Sequence, residues 1–488
     1  MQASGTTAGM AAEGRASRGL VSRTLWSALD FWLQQATALL VFIVVGNLVG
    51  PAAVGVLTVA QLGVTLAMTL LLDGFSDALI QRQRLEPAHF NTAFALLAGI
   101  GLASGLALWL LAPVAASVFG QPDLAWIMPL LAIGLPLLGM AVPCQALLQR
   151  QMRFGALAFR SLVAQGVGFA TALALALDGH GVEALIAYML VVRGLDTVLL
   201  MLLAGRLPGL DFSRQALADI VDFGKHRMGN QVLGFVVTQI DRVTAGLFLG
   251  AVTIGLFSLA ERIANALTGG LSGVVERVGF SAFSARQSEP EALRQALRDV
   301  MFLANVLAMP AFVGLAAVSG DVVGALFSAS WAGAAPVLAL LALAGIPHAT
   351  NYVLTAALNA RGRPDLALRY SVVIMALRLV ASLVAAPQGI VALAAANLAV
   401  TAASTGIVLA VVRHHLPGAA GLAARAALRP ALAAGGMVLA IEGLALLLPP
   451  IAPALLLAGK VAIGAAAYAG LLLLLAPQAL RRLARGSI

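Results

Sequence analysis

Apolar runs of about 20 residues recur along the whole chain, near 25–46, 53–73, 92–116, 124–148, 158–177, 183–204, 226–248, 253–275, 299–318, 333–357, 369–386, 389–412, 427–448 and 454–476, with Gly, Pro and Arg between them. At ~1.5 Å of rise per residue, each is long enough to cross a hydrocarbon core about 30 Å thick. Lipid supplies no hydrogen bonds, so a backbone that crosses it must bond to itself, and runs of this length do so as helices. The expected fold is therefore an all-α polytopic membrane protein of about 14 transmembrane helices. A soluble core has no use for a chain that is 61% hydrophobic and only 10% charged.

Arginine sets the orientation. Arg15, Arg18 and Arg23 precede the first span, Arg82 and Arg84 follow the second, Arg150 and Arg153 the fourth, Arg206 and Arg214 the sixth, and the alternation continues to Arg481, Arg482 and Arg485. The intervening connections carry no Lys or Arg; Asp123, Asp178 and Asp321 lie there. The positive-inside rule then puts both termini in the cytoplasm. The net charge of +9 is spread over these connections, which suits an anionic inner leaflet and not nucleic acid. The single Cys144 excludes an intramolecular disulfide, no Cys/His spacing suits a metal, and no nucleotide loop or nucleophile motif calls for a cofactor. No connection is long enough for a catalytic domain, so an enzyme is not expected. The first 18 residues lack an apolar signal region and read as a disordered cytoplasmic tail.

The chain also repeats. Setting residues 46–61 over 246–261 aligns Gly46, Gly50, Gly55 and Ala60 with Gly246, Gly250, Gly255 and Ala260 without a gap. Downstream, GFS recurs at 74–76 and 279–281, Glu86-Pro87 matches Glu289-Pro290, and Arg150 matches Arg361. Six spans return the chain to the same side, so the halves are parallel six-helix lobes, with two C-terminal helices left over. The expected divisions are 1–20 (tail), 21–205 (N-lobe, helices 1–6), 206–223 (linker), 224–413 (C-lobe, helices 7–12), 414–426 (loop), 427–476 (helices 13 and 14) and 477–488 (tail).

Charges inside spans are costly and mark function or specific pairing. The seventh and eighth spans, joined by a brief turn at 249–252, carry Asp241, Arg242, Glu261 and Arg262 at one expected depth. The signs allow Asp241 to pair with Arg262 and Glu261 with Arg242 across this hairpin, as a structural clasp or as the lining of a cavity. Arg193, with Asp196 one turn away, and Arg378 are further intramembrane cations. Polar stripes accompany them: Asp30 and Gln34 on the first span, Gln61 and Thr65 on the second, Gln231 on the seventh, Asn265 on the eighth. Such residues either seal helix contacts or line a polar path. Guanidinium binds phosphate bidentately and stays charged, so a surplus of Arg suits an anionic substrate. Pro129, Pro136 and Pro143, seven apart, suggest a bend in the fourth span, and His348 is the one histidine well inside a span.

WSALDFWLQQ (26–35), LVGPAAVGVLTVAQ (48–61), DGFSDALIQR (73–82), QIDRVTAGLFLGAVTIGLFSLAERI (239–263) and LNARGRPDLALRYSVV (358–373) together resemble the Wzx-type polysaccharide flippases. These belong to the superfamily that also holds the MATE exporters and the lipid II flippases. The resemblance implies a MATE-like pair of lobes, alternating access and a central cationic cavity in the bacterial inner membrane. It also implies the substrate, an undecaprenyl-pyrophosphate-linked oligosaccharide moved to the periplasmic leaflet for exopolysaccharide, capsule or O-antigen assembly. Arg242, Arg262, Arg193 and Arg378, with Gln34, Gln61, Thr65, Gln231 and Asn265, are then substrate-binding candidates, and Asp30, Asp241 and Glu261 orient them or couple to an ion. Expected partners are the lipid-linked oligosaccharide, the bilayer and the polysaccharide polymerase or export machinery. The alternatives are a multidrug antiporter of the same superfamily and an integral-membrane glycan polymerase or ligase.

Overall fold

A computed structural model describes the backbone of residues 4–69, 87–205, 209, 212–284, 290–413, 418–447 and 452–479, and their side chains except at 4–33, 219–233, 236, 237, 272–282, 284, 290 and 364. The elements are α1 (Ser4–Met68), α2 (Pro87–Val118), α3 (Leu124–Ala132), α4 (Gly134–Arg150), α5 (Phe154–Leu177), α6 (Val182–Ala204), α7 (Arg214–Phe248), α8 (Ala251–Ser284), α9 (Pro290–Ala317), α10 (Ser319–Leu326), α11 (Ala334–Ala360), α12 (Pro364–Ala385), α13 (Ile390–Val412), α14 (Ala419–Leu447) and α15 (Pro453–Leu475). No strand occurs among the described residues. Eleven described stretches are long and apolar enough to cross a membrane. One of these lies in α1, which holds two of the expected spans, and the charge-bearing α7 and α8 lie outside the eleven, so the helix order is compatible with fourteen.

Local chemistry explains the breaks. α1 bends at Gly50, whose φ of 80° is readily open only to glycine, and Pro51, which has no N–H to lose, starts the next segment. The described part of α1 runs from Ser4 and takes in the stretch expected as a disordered tail, whose Ala and Met residues are good helix formers. Of the three prolines of the fourth span only Pro136 sits at a break: α3 ends at Ala132, whose carbonyl would have bonded the missing N–H, and α4 starts at Gly134. Pro87 and Pro290 are the first described residues of α2 and α9, and a proline in a first helical turn has no intrahelical N–H bond to lose.

The contacts divide the chain into a unit Met1–Gln239 and a unit Ile240–Ile488, the boundary falling within α7. In the first, α5 packs on α1 and α6, and α2 packs on α3 and α4. A Cβ on Gly139 would lie 2.1 Å from the Leu97 carbonyl oxygen, so this contact requires glycine. In the second, α11 packs on α8, α9 and α13. The two C-terminal helices belong to this unit: α14 lies on α9, and on α15 Lys460 Nζ donates to Asp321 of α10 at 2.7 Å while the Tyr468 hydroxyl donates to the Val306 carbonyl at 3.0 Å.

The repeat is visible in one turn. Gln151, Met152 and Arg153 donate backbone bonds to Leu147, Gln149 and Leu148, and Arg361, Gly362 and Arg363 donate to Ala357, Asn359 and Leu358 in the same pattern. The register is one residue off the pairing of Arg150 with Arg361; Arg150 stands over Ala360. Met152 has φ 55° and Gly362 has φ 69°, so a methionine holds a left-handed conformation that its repeat partner gives to glycine. Met152→Gly is therefore expected to be neutral or to stabilise, and Gly362→Met to destabilise by about 1 kcal/mol. Melting temperatures of the two variants in detergent should move in these opposite senses.

Candidate functional site

α7 and α8 meet at the break at Leu249–Gly250, and their charges do share a level: Arg242 Nε donates to Glu261 Oε2 at 2.7 Å. Asp241 does not bond Arg262 across the hairpin. Successive helix residues point about 100° apart, so once Arg242 faces α8, Asp241 must face elsewhere, and it faces α12 and α13. Its Oδ2 accepts from Arg378 Nη2 at 2.6 Å and Nε at 3.2 Å and from Asn397 Nδ2 at 2.6 Å, and its Oδ1 accepts from Ser382 Oγ at 2.7 Å. Arg262 and Asn265 are on the exposed side of α8. The acids are the buried members of both pairs: Asp241 is 3% and Glu261 15% exposed, against 26% for Arg378 and 28% for Arg242. In both pairs the more exposed member is the cation.

The first unit holds a related knot. Arg160, buried on α5, donates to Asp196 of α6 at 3.0 Å and to Ser161 Oγ at 3.1 Å, and Gln34 of α1 donates to the same hydroxyl at 3.4 Å. Counting six helices per unit, each knot joins the first, fifth and sixth. In both, the fifth helix supplies Arg and Ser. The acid is on the sixth helix and the amide on the first in one unit (Asp196, Gln34), and the reverse holds in the other (Asp241, Asn397). Arg160 is six residues from the start of α5, about 9 Å, whereas Arg378 is seven from the end of α12, about 10 Å, so equivalent helices carry their knots near opposite ends.

Asp196 is thus bonded to Arg160 and not to Arg193, whose guanidinium has the Met68 sulfur at 3.8 Å as its hydrogen-bond contact. Gln61 donates to the Met189 sulfur at 3.1 Å. The hydroxyls of the polar stripes turn back onto their own helices: Thr58 to Val54, Thr65 to Gln61, Thr69 to Thr65 and Thr268 to Ala264, at 2.8–3.0 Å. This satisfies them without a neighbouring helix or a ligand. His348 lines a small crevice with Phe312, Gly345 and Tyr352. The side chains of Asp30 and Gln231 lie outside those described. Among the described residues no cluster of His, Cys, Asp or Glu could hold a metal. Sequence reading missed Arg160, Ser382 and Asn397; Arg160, a lone charge in an apolar run, was the available signal.

Removing one member of a buried pair strands the other, typically at a cost of about 3 kcal/mol. Asp241→Ala should therefore lower stability in detergent by about that amount, and adding Arg378→Ala should recover part of it. A loss in the double variant equal to the sum of the two single-variant losses would show that the two side chains are not coupled.

Residues 44–336 match the family model described as "Polysaccharide biosynthesis protein". The chain is 25% identical over 358 residues to the lipopolysaccharide biosynthesis protein WzxC of Escherichia coli, covering 72% of each, and 28% identical over 300 residues to the succinoglycan biosynthesis transport protein ExoT of Rhizobium meliloti, covering 62% of this chain and 61% of that one. Its fold is similar to that of the lipid II flippase MurJ in an inward closed conformation, with a TM-score of 0.74 at 12% identity over 92% of this chain and 98% of the other. With the family model matching more than half of its length, the chain belongs to the polysaccharide biosynthesis protein family.

Proposed function

We propose that this protein flips an undecaprenyl-pyrophosphate-linked oligosaccharide from the cytoplasmic to the periplasmic leaflet of the bacterial inner membrane, by alternating access, for exopolysaccharide, capsule or O-antigen synthesis. The observation that carries the reading is the polarity of the charge network, in which carboxylates are buried and the guanidinium groups of Arg242 and Arg378 are its outer members. A pyrophosphate needs such donors, because its negative charge must be met while it is out of water. Arg242 gives Nε to Glu261 and Arg378 gives Nε and Nη2 to Asp241. Glu261 and Asp241 are thereby positioning residues, each holding its guanidinium in one orientation. Arg262 and Asn265 add a cation and an amide on the exposed side of α8. The names of the relatives, biosynthesis and transport proteins for lipopolysaccharide and succinoglycan, support the same substrate class. A multidrug antiporter for cationic compounds would need the opposite polarity, with carboxylates outermost. Both termini are placed in the cytoplasm by the arginine alternation, and polymerase or export machinery would receive the flipped product.

Arg242→Ala paired with Glu261→Ala removes the cation without stranding its acid. This double variant should keep normal abundance and lose most surface-polysaccharide export; export at the wild-type level would refute the cationic site. For the topology, Cys144 is buried and is the only cysteine, so a Ser330→Cys variant carries one accessible thiol. An impermeant maleimide should label it from the periplasm of intact cells, and labelling solely after disruption would invert the orientation.

A further inference from the structure

α15 has only two side chains that can hydrogen-bond, Lys460 and Tyr468, and both reach other helices of the second unit. Lys460, Gly464, Tyr468 and Leu472 recur at steps of four and form one seam, while Leu455, Val461, Leu473 and Leu474 on the remaining faces are exposed. Along that seam the two polar groups stand about 12 Å apart. Lys460 bonds Asp321 of α10, and Tyr468, only 6% exposed, donates its hydroxyl to the Val306 carbonyl of α9 at 3.0 Å.

A carbonyl inside a helix normally accepts from the N–H four residues on, and needs no tyrosine. Val306 differs because residue 310 is proline: the N–H its carbonyl would accept does not exist, and the proline ring presses that carbonyl aside. Hydrocarbon supplies no replacement, so a neighbouring side chain must. The Tyr468 hydroxyl is that donor. Pro113, Pro143, Pro347 and Pro430 interrupt other helices in the same way, and among the described residues no side chain donates to the carbonyls four positions before them. A donor from another helix is therefore not an automatic companion of a helix proline.

Pro310 also lies at the packing of α9 on α8 and α11. Two residues on, Phe312 is buried against Gly345, where a Cβ would lie 2.3 Å from its ring. Ala308 and Phe312, on either side of Pro310, line the crevice with Thr268 and Leu271 of α8 and His348 and Ala349 of α11. Thr268 follows Glu261 on α8 by about 10 Å. We propose that Tyr468 is a positioning residue for transport: its hydroxyl stands in for the N–H that Pro310 lacks, and holds α9 in the course that seats Phe312 on Gly345 and sets the packing of α8. The two C-terminal helices, left over from the repeat, are then a working brace on the second unit.

The test is a cycle of substitutions in the full chain. Tyr468→Phe keeps the ring and removes the donor, whereas Pro310→Ala restores an N–H to the Val306 carbonyl and makes the hydroxyl redundant. In detergent, Tyr468→Phe should lower the melting temperature by about 2 °C. It should also change several-fold the rate at which a maleimide alkylates an Ala349→Cys thiol in the crevice, Cys144 being buried. In cells it should lower surface-polysaccharide export several-fold at normal abundance. With Pro310→Ala in place, all three effects of Tyr468→Phe should vanish. Unchanged alkylation, or unchanged export in a strain whose export depends on this chain, overturns the proposal, because the hydroxyl then only fastens α15. Equal effects in both backgrounds overturn it too, since the hydroxyl then acts independently of Pro310. Should Pro310→Ala fail to accumulate, alkylation and export of Tyr468→Phe decide alone. The export arm rests on the flippase reading, which fails separately: a strain lacking this chain that keeps its surface polysaccharide refutes that reading and leaves the melting and alkylation arms standing.

Discussion

Hydrocarbon offers no hydrogen bonds, and the architecture follows from that one constraint. Every described backbone crossing is helical because no other segment can satisfy its own N–H and C=O groups in lipid. The same constraint falls on side chains. Threonines of the polar stripes bond back to carbonyls one turn earlier, and the buried carboxylate of Asp241 and the half-buried one of Asp196 each accept from a guanidinium. Asp241 is the fullest case, accepting four bonds from three side chains on two helices. It ties α7 to α12 and α13, and with Arg242 and Glu261 it makes the hairpin part of a larger assembly.

The two knots show what duplication conserves when a scaffold is used twice. The helices joined are the same, and so are the Arg and Ser of the fifth helix. The acid and the amide have exchanged places, and the knots lie near opposite ends of equivalent helices. A carboxylate–guanidinium pair is kept in both halves, because an unpaired partner in lipid is costly, while the position of charge is free to differ. Arg193 has the Met68 sulfur as its hydrogen-bond contact.

Much of this was legible in the order of residues. The break at Gly50-Pro51, the turn at 249–250 and the pairing of Arg242 with Glu261 are all local or nearly so, governed by backbone chemistry or by distance from a tight turn. The misreadings share a cause. Asp241 was matched with Arg262, and Asp196 with Arg193, because those residues are close along the chain or across a hairpin. A helix residue bonds whatever its own direction meets, and those partners came from α12 and α13 for Asp241 and from α5 for Asp196.

The sequence by itself therefore determined the class, the helix order, the repeat, the family resemblance and the list of intramembrane charges, since each depends on composition, period or spacing within about one helix length. Only the tertiary structure decided which charges are matched. Pairing depends on the rotation of each helix about its axis, where one residue is about 100°, and that rotation is set by packing between helices far apart in the chain. Gly134 against Arg193 and Asn397 against Asp241 are contacts of this kind.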